Sequence, residues 1–130
     1  MNFLKTLCTL TALLPMASLL AQSTIPLAPS GKTVYGNNPN VGHYASIRGF
    51  KMYYEVYGSG KPLLLIHGNG GSINNFTNQI PYFAKNYKVI AVDSRAQGKS
   101  VDPNDSLTYE MMADDFNALL NVLRLDSCYV

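Results

Sequence analysis

The sequence predicts an α/β domain: a β-hairpin at the front, then a mostly parallel sheet with helices flanking it. Three observations predict it. Two segments rich in aromatic and β-branched residues, Tyr44–Ile47 and Phe50–Tyr57, flank Arg48-Gly49 and read as a hairpin. Two later runs, Leu63–Ile66 and Lys88–Val92, have the apolar continuity of strands covered on both faces. Between and after those runs, apolar residues recur at helical spacing.

The elements follow in order. Residues 1–21 read as an export signal: Lys5 gives a positive start, Leu7–Leu14 is apolar, Pro15 breaks the run, and Ala21 offers a cleavage point before Gln22. The apolar stretch is shorter than the ~20 residues a bilayer span needs, so a secreted or periplasmic protein with no stable membrane span is expected. Residues 22–42, with Pro26, Pro29, Gly31, Gly36, Asn37, Asn38 and Pro39, read as an irregular linker or tether. Gly31-Lys32-Thr33 matches the tail of a phosphate-binding loop, but Pro26 stands at its first glycine position and no strand precedes it.

Residues 43–130 hold the expected fold. Gly58-Ser59-Gly60 closes the hairpin, and Gly68–Ser72 is a glycine-rich turn after the first buried strand. Ile73, Phe76, Ile80 and Phe83 predict a helix that Pro81 breaks or restarts. The second buried strand ends at Asp93, and a polar loop runs to Ser106. A long helix starts near Leu107 or Thr108. Its apolar stripe is Met111, Phe116, Leu119, Leu120 and Leu123, with Asp114 and Asp115 assigned to the other side. Cys128-Tyr129-Val130 opens one more strand, expected to join Leu63–Ile66 on the edge away from Lys88–Val92.

Composition narrows the function. Hydrophobic residues make up 47% and charged residues 14%, which excludes a disordered chain. A net charge of +2 without a basic run argues against nucleic acid as a partner. Two cysteines, Cys8 and Cys128, make no disulfide framework; Cys8 leaves with the leader, and Cys128 reads as an inert core thiol. His43, at the hairpin edge, reads as a surface or turn residue. Asn75-Phe76-Thr77 and Asn104-Asp105-Ser106 fit glycosylation acceptors, a pattern common by chance.

His67-Gly68-Asn69-Gly70-Gly71 follows a buried strand directly, and two chemistries use such a turn. One is a pyrophosphate site, with Asp93 holding a ribose, which would make the protein a nucleotide-binding oxidoreductase. Its third glycine position, however, is Ile73. The other is an oxyanion hole, in which backbone N–H groups meet the charge developing on a carbonyl oxygen.

That turn, together with Asp93-Ser94-Arg95-Ala96-Gln97-Gly98-Lys99-Ser100 after the next strand, resembles the α/β-hydrolases. The resemblance runs from about Val41 to Val130. The family pattern is Asp-x-Arg-Gly-x-Gly-x-Ser; here Ala96 replaces the first glycine, and Gln97 stands where His is frequent. The resemblance implies an oxyanion-hole N–H at Asn69, an open loop at Gly70, and loop support from His67, Gly68 and Gly71. It implies structural turn roles for Asp93, Arg95, Gly98 and Ser100, and His67 is not the catalytic base.

It implies a serine-type ester or acyl hydrolase with a small-molecule substrate, no cofactor and no metal. Alternatives are an epoxide hydrolase or dehalogenase with an Asp nucleophile, and a non-catalytic binding module. No Gly-x-Ser-x-Gly occurs in the sequence. The nucleophile, acid and catalytic His are therefore expected after Val130, with this chain alone inactive as the front part of a longer domain.

Overall fold

The computed structural model describes residues 33–103 and 107–130. The expected export signal, the first part of the linker and Asn104-Asp105-Ser106 lie outside the described residues. Four strands form one mixed sheet: β1 (Gly42–Ile47), β2 (Phe50–Tyr57), β3 (Lys61–Ile66) and β4 (Tyr87–Val92), in the order β1-β2-β4-β3. β1 and β2 are the expected antiparallel hairpin, with Ile47 opposite Phe50. Arg48 and Gly49 at its tip have φ of 42° and 90°, the positive pair that a two-residue turn needs to match strand twist. β2 runs antiparallel to β4, and β3 runs parallel to it, Leu63 opposite Val89 and Ile66 opposite Val92.

Tyr129 extends the sheet beyond β3, as expected of Cys128–Val130. Its N–H donates to the Pro62 carbonyl at 3.0 Å, and its carbonyl accepts from the Leu64 N–H at 2.8 Å.

The continuous apolar runs are explained by two cores, one on each face. Leu64, Ile90 and Val92 point to one face, with Ala45, Ile47, Phe50 and Met52 from the hairpin. There Leu119 of the helix α2 (Tyr109–Val122) is fully buried against them. Leu63, Val89 and Ala91 point to the opposite face and meet Ile73 and Ile80. Because side chains alternate along a strand, consecutive residues Val89–Val92 of β4 serve opposite cores, and all four are apolar and buried.

Two expectations change. The helix around Pro81 is two short pieces, a 3₁₀ turn (Ile73–Phe76) and α1 (Gln79–Phe83), and Pro81 lies inside α1 rather than at the break. It sits in the first turn, where backbone N–H groups have no intrahelical acceptor, so its missing donor costs nothing. Asp115 is not on the solvent side of α2: it is fully buried, while Asp114 stays exposed. Asp115 precedes Leu119 by four residues and so shares its face; polarity suggested otherwise, but position prevails.

The stretch 33–41, read as part of a tether or an irregular lead-in, is irregular and folded onto the sheet. The Gly36 and Asn38 N–H groups donate to the buried Glu55 carboxylate at 2.8 and 2.9 Å. The Tyr53 and Tyr57 hydroxyls donate to the same group, each at 2.7 Å. Among the described residues, no helix is long and apolar enough to cross a membrane.

Candidate active site

β3 and β4 are parallel neighbours, so the loops leaving their C-terminal ends emerge side by side. In open α/β sheets ligands bind at that end. The first loop is His67–Ser72; the second is Asp93–Ser100. Hydrogen bonds staple each to the other.

His67 is buried, and its Nε2 accepts from the Ser94 N–H at 3.0 Å. A nitrogen that accepts carries no proton. Nδ1 therefore holds the ring hydrogen and donates it to the Gly68 carbonyl at 2.8 Å. Both ring nitrogens are committed to backbone, which fits a turn-fixing residue and leaves no free nitrogen to act as a base. Asp93, also buried, accepts from the Ile73 N–H at 2.8 Å with one oxygen and from the Lys99 N–H at 2.7 Å with the other. Ser100 Oγ accepts from the Tyr53 N–H at 2.8 Å and donates to the Asp93 carbonyl at 2.6 Å, tying the second loop back to β2.

Gly98 has φ of 56°, and a Cβ there would lie 2.3 Å from the Asp93 carboxyl carbon. Both the dihedral and the space require glycine. Gly70 has φ of 74° with open space around it, so only its dihedral requires glycine.

Arg95 anchors the loop from beneath. Its Nε and Nη2 bond the two oxygens of Asp115 at 2.6 Å each, and Nη1 reaches Asp102 at 2.7 Å. The guanidinium lies 4.2 Å over the Phe50 ring. The Asp115 hydrogen bonds raise its pKa well above the usual arginine value, partly opposed by burial and helped by Asp102. These contacts tie Arg95 to α2 and to its own loop, and it does not line the cleft below.

A cleft of about 620 Å³ opens between the first loop and α2. Its floor includes Ile66, His67, Gly68 and Asn69, and its opposite wall includes Met112 and Phe116. The volume suits a small organic molecule. The Asn69 N–H has no hydrogen-bond partner among the described residues, whereas the Gly70 N–H is taken by Gln97 Oε1 at 2.5 Å. Asn69, which the sequence expects to carry the donor, is thus on this wall with its N–H open to the cleft side. Gly68 lines the cleft, and Gly71 packs behind it, where a Cβ would lie 3.0 Å from the Gly68 carbonyl oxygen.

Two candidates stay outside the site. Cys128 is half-buried beside β3, and burial pushes its thiol pKa up, as suits an unreactive thiol. His43 is exposed and stacks on Tyr54, with centroids 5.3 Å apart.

Sequence reasoning missed Gln97 as a lining residue and the α2 wall. The only signal for either was position, Gln97 within the second motif and Met112 and Phe116 on the helical stripe.

The sequence profile of the alpha/beta hydrolase fold matches residues 61–130. The chain belongs to the α/β-hydrolase family. Among its relatives, a soluble epoxide hydrolase from a Corynebacterium species is 39% identical over 84 residues, 65% of this chain and 29% of that protein. An N-acyl homoserine lactone degrading enzyme matches in structure with a TM-score of 0.63 at 30% identity, over 66% of this chain and 33% of the other. A haloalkane dehalogenase loop variant from Bradyrhizobium elkanii has a TM-score of 0.64 at 30% identity, over 68% and 30% of the two chains. This α/β-hydrolase chain spans about a third of the length of the curated relatives it matches, 29% and 31% of the first two.

Proposed function

We propose that these residues supply the oxyanion loop and one cleft wall of a cofactor-free hydrolase acting on an ester or related acyl substrate. The observation that carries the reading is the unpartnered Asn69 N–H on a cleft wall whose neighbouring donor, Gly70, is already occupied. When a nucleophile adds to a carbonyl, the oxygen gains negative charge that a fixed N–H can meet without reorganising. His67 and Asp93 hold the donor in place through Ser94 and Ile73 rather than taking part in proton transfer. The triad would complete the reaction, the nucleophile attacking and a histidine outside these motifs activating it.

The 39% identity to a soluble epoxide hydrolase favours a second reading, ring opening by a carboxylate nucleophile. One assay separates the two. Protein expressed from the complete gene is offered p-nitrophenyl butyrate and styrene oxide; turnover of the ester supports the acyl reading, and turnover of the epoxide alone overturns it. Asn69→Pro, which deletes the N–H, should lower kcat by about 10²–10³ while Asn69→Ala keeps it nearly unchanged. Equal losses would remove Asn69 from the hole.

We further propose export through residues 1–21. Mass spectrometry of the exported protein should find Gln22 at its N-terminus, and retention of Met1–Ala21 would count against it.

A further inference from the structure

The sequence contains a single Asn-Gly step, Asn69-Gly70 in the first loop. The main-chain nitrogen after an asparagine can attack the side-chain amide carbon, because closing a five-membered ring needs no encounter between separate molecules. A side chain on the following residue shields that nitrogen and restricts its backbone, so glycine resists least. Here the turn itself requires the glycine: Gly70 has φ of 74°, and a Cβ built there would meet nothing within 4 Å. Both residues are exposed, so water reaches them. The Asn69 carboxamide has no hydrogen-bond partner among the described residues. Other loop asparagines are tied: Asn38 Oδ1 accepts from the Asn40 N–H, Asn75 Oδ1 from the Ser72 N–H and Asn37 Oδ1 from Lys99 Nζ. One contact opposes attack at Asn69. The Gly70 N–H donates to Gln97 Oε1 at 2.5 Å, and the nitrogen must leave that acceptor and lose its proton first. The bond is exposed, so local opening releases it.

We propose that Asn69-Gly70 is a site of spontaneous deamidation whose rate Gln97 sets. The Gly70 nitrogen gives its proton to a solvent base and bonds to Asn69 Cγ. The Cγ–Nδ2 bond breaks, and ammonia leaves with a proton returned from solvent. Water then opens the cyclic imide at either carbonyl, giving aspartate or its β-linked isomer. The sum is amide plus water to acid plus ammonia, with no oxidant or reductant. The new carboxylate sits on the cleft wall beside the N–H assigned to the oxyanion, where like charge opposes the charge developing on the substrate. Conversion therefore ends turnover. That consequence rests on the hydrolase reading; the modification itself does not.

The test follows protein from the complete gene in mildly alkaline buffer, where the Gly70 N–H loses its proton more often. Peptide mass mapping compares wild type, Gln97→Met and Gln97→Glu over time. The peptide holding Asn69 should gain about 1 Da, the exchange of –NH₂ for –OH, and become a substrate for isoaspartyl methyltransferase. Gln97→Met removes the acceptor and should convert about fivefold faster than wild type, the value of one hydrogen bond. Gln97→Glu keeps an acceptor and should convert no faster than wild type. Equal rates in all three proteins overturn the inference, and so does Gln97→Glu converting as fast as Gln97→Met.

Should Gln97→Met fail to fold, wild type decides alone. Asn69 must then convert faster than the exposed Asn40, whose successor is the β-branched Val41, and an equal or slower rate overturns the inference. If wild type turns over neither ester nor epoxide, the hydrolase reading fails on its own and the mass readings still decide the modification. Where turnover is seen, its loss in step with the converted fraction supports the stated consequence, and full turnover after complete conversion overturns it.

Discussion

Ala96 holds φ of 59°, a left-handed conformation in which its Cβ crowds the following carbonyl. The strain is about 1–2 kcal/mol, and part of the gain from relieving it is offset by the freer unfolded chain of a glycine. Ala96→Gly should therefore stabilise by about 0.5–1 kcal/mol, seen as a higher denaturant midpoint at unchanged slope. Gly98 is the opposite case, since its missing Cβ leaves room for the Asp93 carboxylate. Gly98→Ala should destabilise by roughly 3 kcal/mol or more through strain and loss of the Ile73 and Lys99 contacts.

Tyr53 and Tyr57 carry a pH dependence. Burial, then hydrogen bonding to Glu55, pushes both phenols well above the ordinary tyrosine value. A raised folded pKa means the folded state keeps protons that the unfolded state releases. Stability from this source is thus full below about pH 10, the unfolded value, and is lost as pH rises through the folded value. Unfolding titrations from neutral to strongly alkaline pH should show this fall in wild type and a shallower one in the Tyr53→Phe, Tyr57→Phe double variant. Parallel curves would contradict it.

Among the elements, α2 is held to the hairpin by charge as well as by Leu119. Asp115 reaches from the helix to Arg95 of the second loop and, at 3.1 Å, to Arg48 at the hairpin tip. Removing it leaves the buried Arg95 with Asp102 as its other carboxylate partner. Asp115→Ala should cost about 3–5 kcal/mol, whereas exchanging Arg95 and Asp115 together for apolar residues of similar volume should cost much less. Chemical denaturation of the single and double variants checks this; a double variant as unstable as the single one would mean that packing, not charge, is what Asp115 supplies. At its other end α2 is capped by Thr108, whose Oγ1 accepts from the Met111 N–H at 3.2 Å. That cap starts the helix where Met112 and Phe116 face the cleft.

For the molecule as a whole, β3 carries parallel β4 on one edge and, among the described residues, only the short bridge to Tyr129 on the other. Val122, Tyr129 and Val130 are exposed. An open strand edge beside apolar surface promotes association between copies. The 130-residue chain on its own should elute as concentration-dependent oligomers in size-exclusion chromatography, and a monomer at every concentration would refute this.

The hairpin, the two buried strands and both loop motifs were legible in the sequence because each depends on local rules: strand alternation, apolar continuity on a covered sheet, and glycine where the chain must turn. The roles expected of Asn69, His67 and Asp93 came only with the family resemblance that those motifs carry. Glu55, Asp115 and Gln97 did not, because their meaning lies in partners distant in sequence: Gly36 is 19 residues from Glu55, Arg95 is 20 from Asp115 and Gly70 is 27 from Gln97. A carboxylate or amide reads as solvent-facing until a donor or acceptor is brought to it, and only tertiary folding decides which ones arrive. The buried ionic bridge under α2 and the amide contact from Gln97 to Gly70 were set at that level, by packing that no local pattern encodes.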